Sequence, residues 1–205
     1  MSPRTKEQTA HVRQARRRQL LDAARQVFSQ KGFSATNVSD VAAAAGVSQG
    51  TIYLYFDSKD DLFMATFEAW IETCVYQAYA ESDLSAETAA GWLRAFADSA
   101  AQMMATSAEF LPVQMEFWSH LLRNEAIRER FRQLFAELRT FLGQIIQAGI
   151  DGGEFRPVDA EALAAIAIAV YDGLILQWLA DPEELDWERT SRTLVKTLLN
   201  GLLAG

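Results

Sequence analysis

Apolar residues recur at helical spacing along nearly the whole chain, and the alternating Val/Ile/Thr runs that mark strands do not occur. Ala, Leu, Glu, Gln and Arg dominate, so the pattern predicts an all-α protein of about nine helices. Leu20, Ala24, Val27 and Phe28 stripe a first helix over residues 13–30, ended by Lys31-Gly32. Thr36 is placed to cap a second helix over 37–45, closed by Gly46, and Ser48 to cap a third over 49–55. Ser58 opens a fourth over 59–79, with Asp60 and Asp61 in its first turn, where negative charge suits the helix dipole.

The remaining pattern predicts five further helices. Ser85 or Ala86 starts a fifth that ends near residue 105, and Pro112 fits the first turn of a sixth over 112–122. Asn124 caps a long seventh that stops at Gly149, Gly152 and Gly153. Asp159 caps an eighth that ends before Pro182, and the ninth spans 186–203. The pattern divides the chain into an N-terminal three-helix domain over 14–74 and a larger helical domain over 75–205. The boundary falls inside the fourth helix, which joins the two without a flexible tether.

Residues 37–56 have the pattern of a helix-turn-helix. Ala42, Ala45 and Val47 are small and apolar, as close packing around Gly46 requires, and Ile52 and Phe56 are spaced to face inward. Ser48, Gln49, Gly50 and Thr51 then stand at the start of the second helix, where this motif meets base edges in the major groove. Gly50 lets the backbone approach DNA closely.

This segment resembles the DNA-binding head of the TetR family of bacterial transcriptional repressors. The resemblance is carried by Gly32-Phe33, Thr36, Asp40-Val41-Ala42, Ala45-Gly46-Val47-Ser48, Gly50-Thr51-Ile52-Tyr53, Tyr55-Phe56, Ser58-Lys59 and Leu62. It implies a homodimer on a palindromic double-stranded operator, released by a small-molecule effector. By position it implies base contacts from Gln49 and Thr51, backbone contacts near Thr36 and Asn37, and phosphate or thymine-methyl contacts from Tyr53 and Tyr55. It also implies a phosphate anchor at Lys59. Ser39 takes a place that often reaches a base or phosphate, but its side chain is short. Thr36 and Ser48 serve equally as helix caps, and Tyr53 as a packing residue. More loosely, Glu116-Phe117-Trp118, Gly153-Glu154-Phe155-Arg156-Pro157 and Asp172-Gly173-Leu174 resemble the branch that includes the choline-responsive betaine regulator.

Charge supports the DNA reading once it is divided. The net charge of −8 argues against a nucleic-acid partner. Residues 1–59, however, carry nine Lys/Arg and four Asp/Glu, a balance of +5, against −13 for residues 60–205. Arg13, Arg16, Arg17 and Arg18 precede the motif and suit phosphate contact, with a solvated helix face as the alternative.

Catalysis is not expected. Gly46-Val47-Ser48-Gln49-Gly50 matches G-x-S-x-G, but that motif needs a preceding strand, and the residues before it are helical. His11 and His120 are the only histidines, and neither has a partner at ligand spacing, so no metal or other cofactor is expected. Cys74, the only cysteine, allows no internal disulfide, reads as a small core residue and points to a cytoplasmic setting, which the DNA-binding resemblance makes nucleoid-associated. The N-terminus is polar and basic, without a signal-peptide pattern. The most apolar run is the ten residues 162–171, ended by Asp172, which suits a buried helix, and no membrane partner is expected.

The eighth helix is apolar nearly all round, so it needs cover on more than one face. Leu174 and Trp178, with Leu194, Leu198 and Leu202 of the ninth, are candidates for a four-helix dimer interface; closure of a monomeric core is the alternative. Trp92, Phe96, Met103, Phe110, Met115, Trp118, Tyr171 and Trp178, with Met104 and Phe117 nearby, are candidates for an apolar pocket for a lipophilic or aromatic effector, or for plain core. Glu109, Glu116 and Asp172 lie among them and suit a cationic ligand. The resulting expectation is a ligand-responsive repressor. The alternatives are an activator or DNA-binding protein without an inducer, and an enzyme built on the same fold.

Overall fold

A computed structural model of the chain describes residues 6–81, 88–121 and 124–203. Among the described residues run nine α-helices: α1 (Lys6–Lys31), α2 (Val38–Ala44), α3 (Gln49–Tyr53), α4 (Lys59–Glu81), α5 (Ala89–Ser107), α6 (Leu111–Leu121), α7 (Glu125–Asp151), α8 (Ala160–Ala180) and α9 (Trp187–Leu202). A 3-10 turn, Ala108–Phe110, leads into α6. The described residues form no strand, only one isolated antiparallel bridge between Phe155 and Leu203. The expected all-α class therefore holds.

Local polar chemistry sets most helix starts. The side chains of Ser48, Asp159 and Asp186 accept hydrogen bonds from Thr51 N (3.2 Å), Ala162 N (2.9 Å) and Arg189 N (2.9 Å). Asn124 Oδ1 accepts from Ala126 N at 3.0 Å at the head of α7. Each satisfies a first-turn amide that has no carbonyl partner within its helix.

Several boundaries differ from expectation. The first helix begins at Lys6, seven residues before the expected position. The second is capped by Asn37, not Thr36; Thr36 Oγ1 instead donates to Gly32 O at 2.6 Å and the residue is fully buried. The third ends at Tyr53, with Leu54 as its C-cap. For the fifth, the expected starts at Ser85 and Ala86 lie outside the described residues, and Thr88 caps the helix by accepting from Gly91 N at 3.0 Å.

The chain divides into two compact units. The first comprises Met1–Trp70 and Pro112–Ile127, so the N-terminal head includes most of α6. Its core holds Leu20, Val41, Ile52 and Leu62 around an aromatic cluster. Phe28 and Phe33 each set their rings edge-on to Phe63, at 5.2 and 5.3 Å between centroids. Fully burying each such side chain contributes about 1.5–3 kcal/mol.

The second unit comprises Ile71–Leu111 and Arg128–Gly205. Leu142 and Ile146 of α7, Phe155, Ala164 of α8, and Leu199 and Leu202 of α9 form its core. Glu154 spans two elements: its carboxylate accepts from Ala89 N (2.7 Å) and Ala90 N (3.0 Å) at the start of α5. Helix α8 is apolar nearly all round, yet only Ala164 and Ile175 are buried, while Ile166 and Leu176 are 53% and 58% exposed. By length and composition α8 is also sufficient to cross a membrane.

Candidate nucleic-acid interface and effector domain

The first unit presents a short helix over a packed base. Helix α2 ends at Ala44, and Gly46, at φ +66°, reverses the chain into α3. Ile52 and Phe56 are 1% and 2% exposed and fix α3 from beneath. Gln19 Nε2 of α1 donates to Ala45 O at 3.0 Å and ties the first helix to the turn. What α3 leaves outward is Ser48, Gln49, Gly50 and Tyr53, all exposed, with Thr51 half-buried. Ser48 Oγ and Thr51 Oγ1 share a 2.9 Å hydrogen bond, which orients both hydroxyls.

The flanking residues fall into two groups. Asn37 and Ser39 are exposed at the start of α2, and Arg17 is exposed on α1 with its guanidinium 5.5 Å from the centre of the Phe56 ring. Arg13 stands 5.8 Å over the half-buried Tyr55. Thr36, by contrast, has no exposed surface, so it supports the turn and does not face outward. Lys59 has an internal occupation as well: its Nζ donates to Phe33 O at 2.9 Å and Thr36 O at 3.0 Å, 4.4 Å from the centre of the Phe33 ring. An ammonium has three donors, so these two bonds leave one N–H of Lys59 over.

Leu54 was not anticipated. It is the most exposed large hydrophobic residue of the described chain, at 73%, and adjoins Tyr53, at 49%. The available signal was phase: Leu54 follows Ile52 by two positions, so on a helix ending there it cannot share the inward face.

The predicted effector residues divide between the units. Met115 and Trp118 belong to the first; Trp92, Phe96, Phe110, Tyr171 and Trp178 belong to the second. Phe110 is fully buried, whereas Phe96 packs on the second unit's core, 6.3 Å from Phe141. Tyr171 meets Trp187 edge-on at 5.4 Å, and the Trp187 Nε1 is buried without a hydrogen-bond partner. The side chains of Met103, Met104, Phe117, Cys74 and His120 lie outside the described ones. A groove of about 250 Å3 between α5 and α9 is charged, with Arg94, Asp98, Arg192 and Lys196 in its wall and none of the predicted aromatics.

The expected set of three ligand-facing carboxylates needs correction. Glu116 accepts hydrogen bonds from the backbone N–H groups of Phe33 (2.8 Å) and Ser34 (2.9 Å) within the first unit. Glu109 is exposed. Asp172 differs from both: burial pushes its carboxyl up to about 7, and no hydrogen bond or ion pair of it occurs among the described residues.

Leu174, Trp178, Leu194 and Leu198 are half-buried. Leu202 differs from the expectation: it is 4% exposed and packed with Leu199 in its own core.

Known proteins match both parts of the chain. A family model for bacterial regulatory proteins of the tetR family matches residues 20–66. A second, for the C-terminal part of BetI-type transcriptional repressors, matches residues 89–204. The uncharacterized HTH-type transcriptional regulator YfiR of Bacillus subtilis is 33% identical over 90% of this chain and 88% of its own length. Two solved structures share the fold. The transcriptional regulator FadR of Bacillus subtilis, in complex with stearoyl-CoA, superposes with a TM-score of 0.73 at 24% identity over 89% of this chain and 97% of that one. A putative regulator of Saccharomonospora viridis, in complex with choline, does so with 0.76 at 21% identity over 92% and 98%.

Proposed function

Because the chain belongs to the TetR family of bacterial transcriptional regulators, we propose that it works as a homodimeric repressor whose α3 enters the major groove and whose second unit binds the releasing effector. It is a DNA-binding regulator and not an enzyme. The observation that carries the DNA-reading surface is the rim of α3: exposed Ser48, Gln49, Gly50 and Tyr53 above the buried pair Ile52 and Phe56. Gln49 suits an adenine edge, and Leu54, like Tyr53, suits a thymine methyl. Asn37, Ser39, Arg17, Tyr55 and the free N–H of Lys59 supply the surrounding phosphate contacts.

Two heads would read half-sites about 34–36 Å apart. The exposed Ile166 and Leu176, with Leu174, Trp178, Leu194 and Leu198, are the face a second copy would cover. This also explains how an apolar α8 is accommodated without a membrane in a cytoplasmic protein. The effector class is lipophilic or aromatic, from Trp92, Phe96, Tyr171 and Trp178 in the second unit. The ligands of the two structural relatives, stearoyl-CoA and choline, differ too much in chemistry for the fold to name this one.

The test is fluorescence anisotropy on DNA selected from a random pool, with nonspecific competitor. Saturable binding of two subunits per site is expected, and Gln49→Ala should weaken the selected site by about 1–3 kcal/mol and relax base preference there. Binding that competitor abolishes, or a Gln49→Ala protein with unchanged preference, overturns the assignment.

A further inference from the structure

The second unit is acidic, with nine Lys and Arg against eighteen Asp and Glu. Four of those nine cations nevertheless gather in one place. Arg94 of α5 and Arg192 and Lys196 of α9 stand in the wall of the groove of about 250 Å3 between these helices. Arg189 lines an adjoining hollow that shares Arg192 and Lys196. One carboxylate in the groove wall, Asp98, opposes them. Arg192 is paired with Glu188 at 2.6 Å, an exposed ion pair worth little by itself. Arg94 and Lys196 make no hydrogen bond or ion pair among the described residues. Beneath the charges the lining is apolar: Val195 is half-buried, and Leu199, 3% exposed, belongs to the core.

We propose that this groove binds a phosphate monoester of a small organic molecule. Charge is the first reason: three cations and one carboxylate give the groove wall a formal balance of +2, and a phosphate monoester carries about −1.5 to −2 at pH 7. Donor geometry is the second. A guanidinium offers two parallel N–H groups to two phosphate oxygens, and an ammonium on the facing helix adds a point charge. The apolar floor is the third, since an organic body covers it and a bare inorganic ion leaves it wet. Asp98 repels a second anion and accepts from a hydroxyl of that body. The site is separate from the aromatic effector residues, none of which lines it. It also stays clear of the face assigned above to a second copy. Leu194 lies two residues from both Arg192 and Lys196, about 200° round α9, so pairing through Leu194 and Leu198 leaves the groove open.

Phenyl phosphate, titrated into the full-length protein by calorimetry and phosphorus NMR, tests the proposal. One site per chain should saturate with a Kd of about 0.1–1 mM, and inorganic phosphate should bind about tenfold more weakly. Affinity should fall as pH drops through the second phosphate pKa, near about 6. Arg94→Gln and Lys196→Gln should each weaken binding about tenfold. Asp98→Asn should tighten it about threefold, a gain that misfolding cannot produce. Arg132→Gln makes the same charge change on α7, outside the groove, and should bind as wild type does. Vesicles of phosphatidylcholine and phosphatidic acid, whose headgroup is the same monoester, separate the two sources. Cosedimentation lost in Arg94→Gln assigns the lipid, and its absence beside phenyl phosphate binding assigns a soluble ester. No saturation by about 10 mM phenyl phosphate overturns the site. So does an Arg132→Gln protein weakened as much as Arg94→Gln, since diffuse charge then suffices. Inorganic phosphate bound as tightly as phenyl phosphate overturns the ester class.

Discussion

Replacing Lys59 by Met removes the ammonium and keeps most of the stem, so its effect separates an internal role from a phosphate-binding one. Two hydrogen bonds from a charged donor are lost, to Phe33 O and Thr36 O. Each such bond is worth about 1.5–3 kcal/mol when its partners stay dry. Lys59 is half-buried, so both carbonyls regain some water and the lower end applies. The contact over the Phe33 ring, at 4.4 Å, adds about 0.5–1 kcal/mol. The Met thioether against the same ring returns a similar amount. The net loss should be about 2–3 kcal/mol, which for a chain of this length lowers Tm by about 4–12 °C. If the third N–H also meets a phosphate, the salt dependence of operator binding falls by about one phosphate contact. Thermal unfolding of the variant, beside its anisotropy titration across salt, reads both effects. A variant with wild-type Tm and a reduced salt slope would refute the internal role of Lys59.

The remaining predictions concern the second unit. Asp172, pushed up to about 7 from an ordinary 3.8, binds a proton in the folded state that the unfolded chain releases between about pH 4 and 7. Stability should therefore decline as pH rises through that window. Asp172→Asn should be more stable than wild type at pH 8, by up to about 4 kcal/mol, with the gain shrinking towards pH 4; a difference independent of pH in urea titrations would count against burial as the cause. Gly149 has no room for a side chain: a methyl there would lie 2.6 Å from Phe155 Cε2 and 2.7 Å from Ala89 Cβ. Gly149→Ala should cost about 1–3 kcal/mol by overpacking, and an unchanged denaturation midpoint would contradict that close approach. Glu154→Ala leaves the first amides of α5 without their acceptor and should cost about 1–2 kcal/mol, with faster hydrogen exchange at Ala89 and Ala90; unchanged exchange there speaks against the cap.

Features decided within a few residues were legible in the sequence. Ser48, Asn124 and Asp159 each cap the helix that follows them, because the acceptor and its amide are only two or three residues apart. The cap of α2 was misread by one residue, since Thr36 and Asn37 are both competent and only the Gly32 carbonyl decides between them. Long-range partners left no local trace. Glu116 stands among aromatic residues in sequence and reads as a pocket carboxylate, yet its hydrogen bonds go to Phe33 and Ser34. The phase of α9 was partly readable: Leu198 and Leu202 sit one turn apart, but the first is half-buried and the second is core. For α8, apolar nearly all round, the sequence offers no phase at all, and the choice between inner and outer face is made entirely by packing.

The head's discontinuity has a consequence for how the chain is made and recombined. During synthesis Trp70 emerges well before Pro112–Ile127. At about 5–20 residues per second, the N-terminal helices wait roughly 3–11 s for the segment that carries Val113, Glu116 and Ile127. For that interval the Phe33 and Ser34 amides lack their late-arriving acceptor. A chimera that joins this head to a foreign C-terminal half at α4 would leave it in that state permanently. Swapping specificity between relatives therefore calls for transplanting two stretches of sequence, not one.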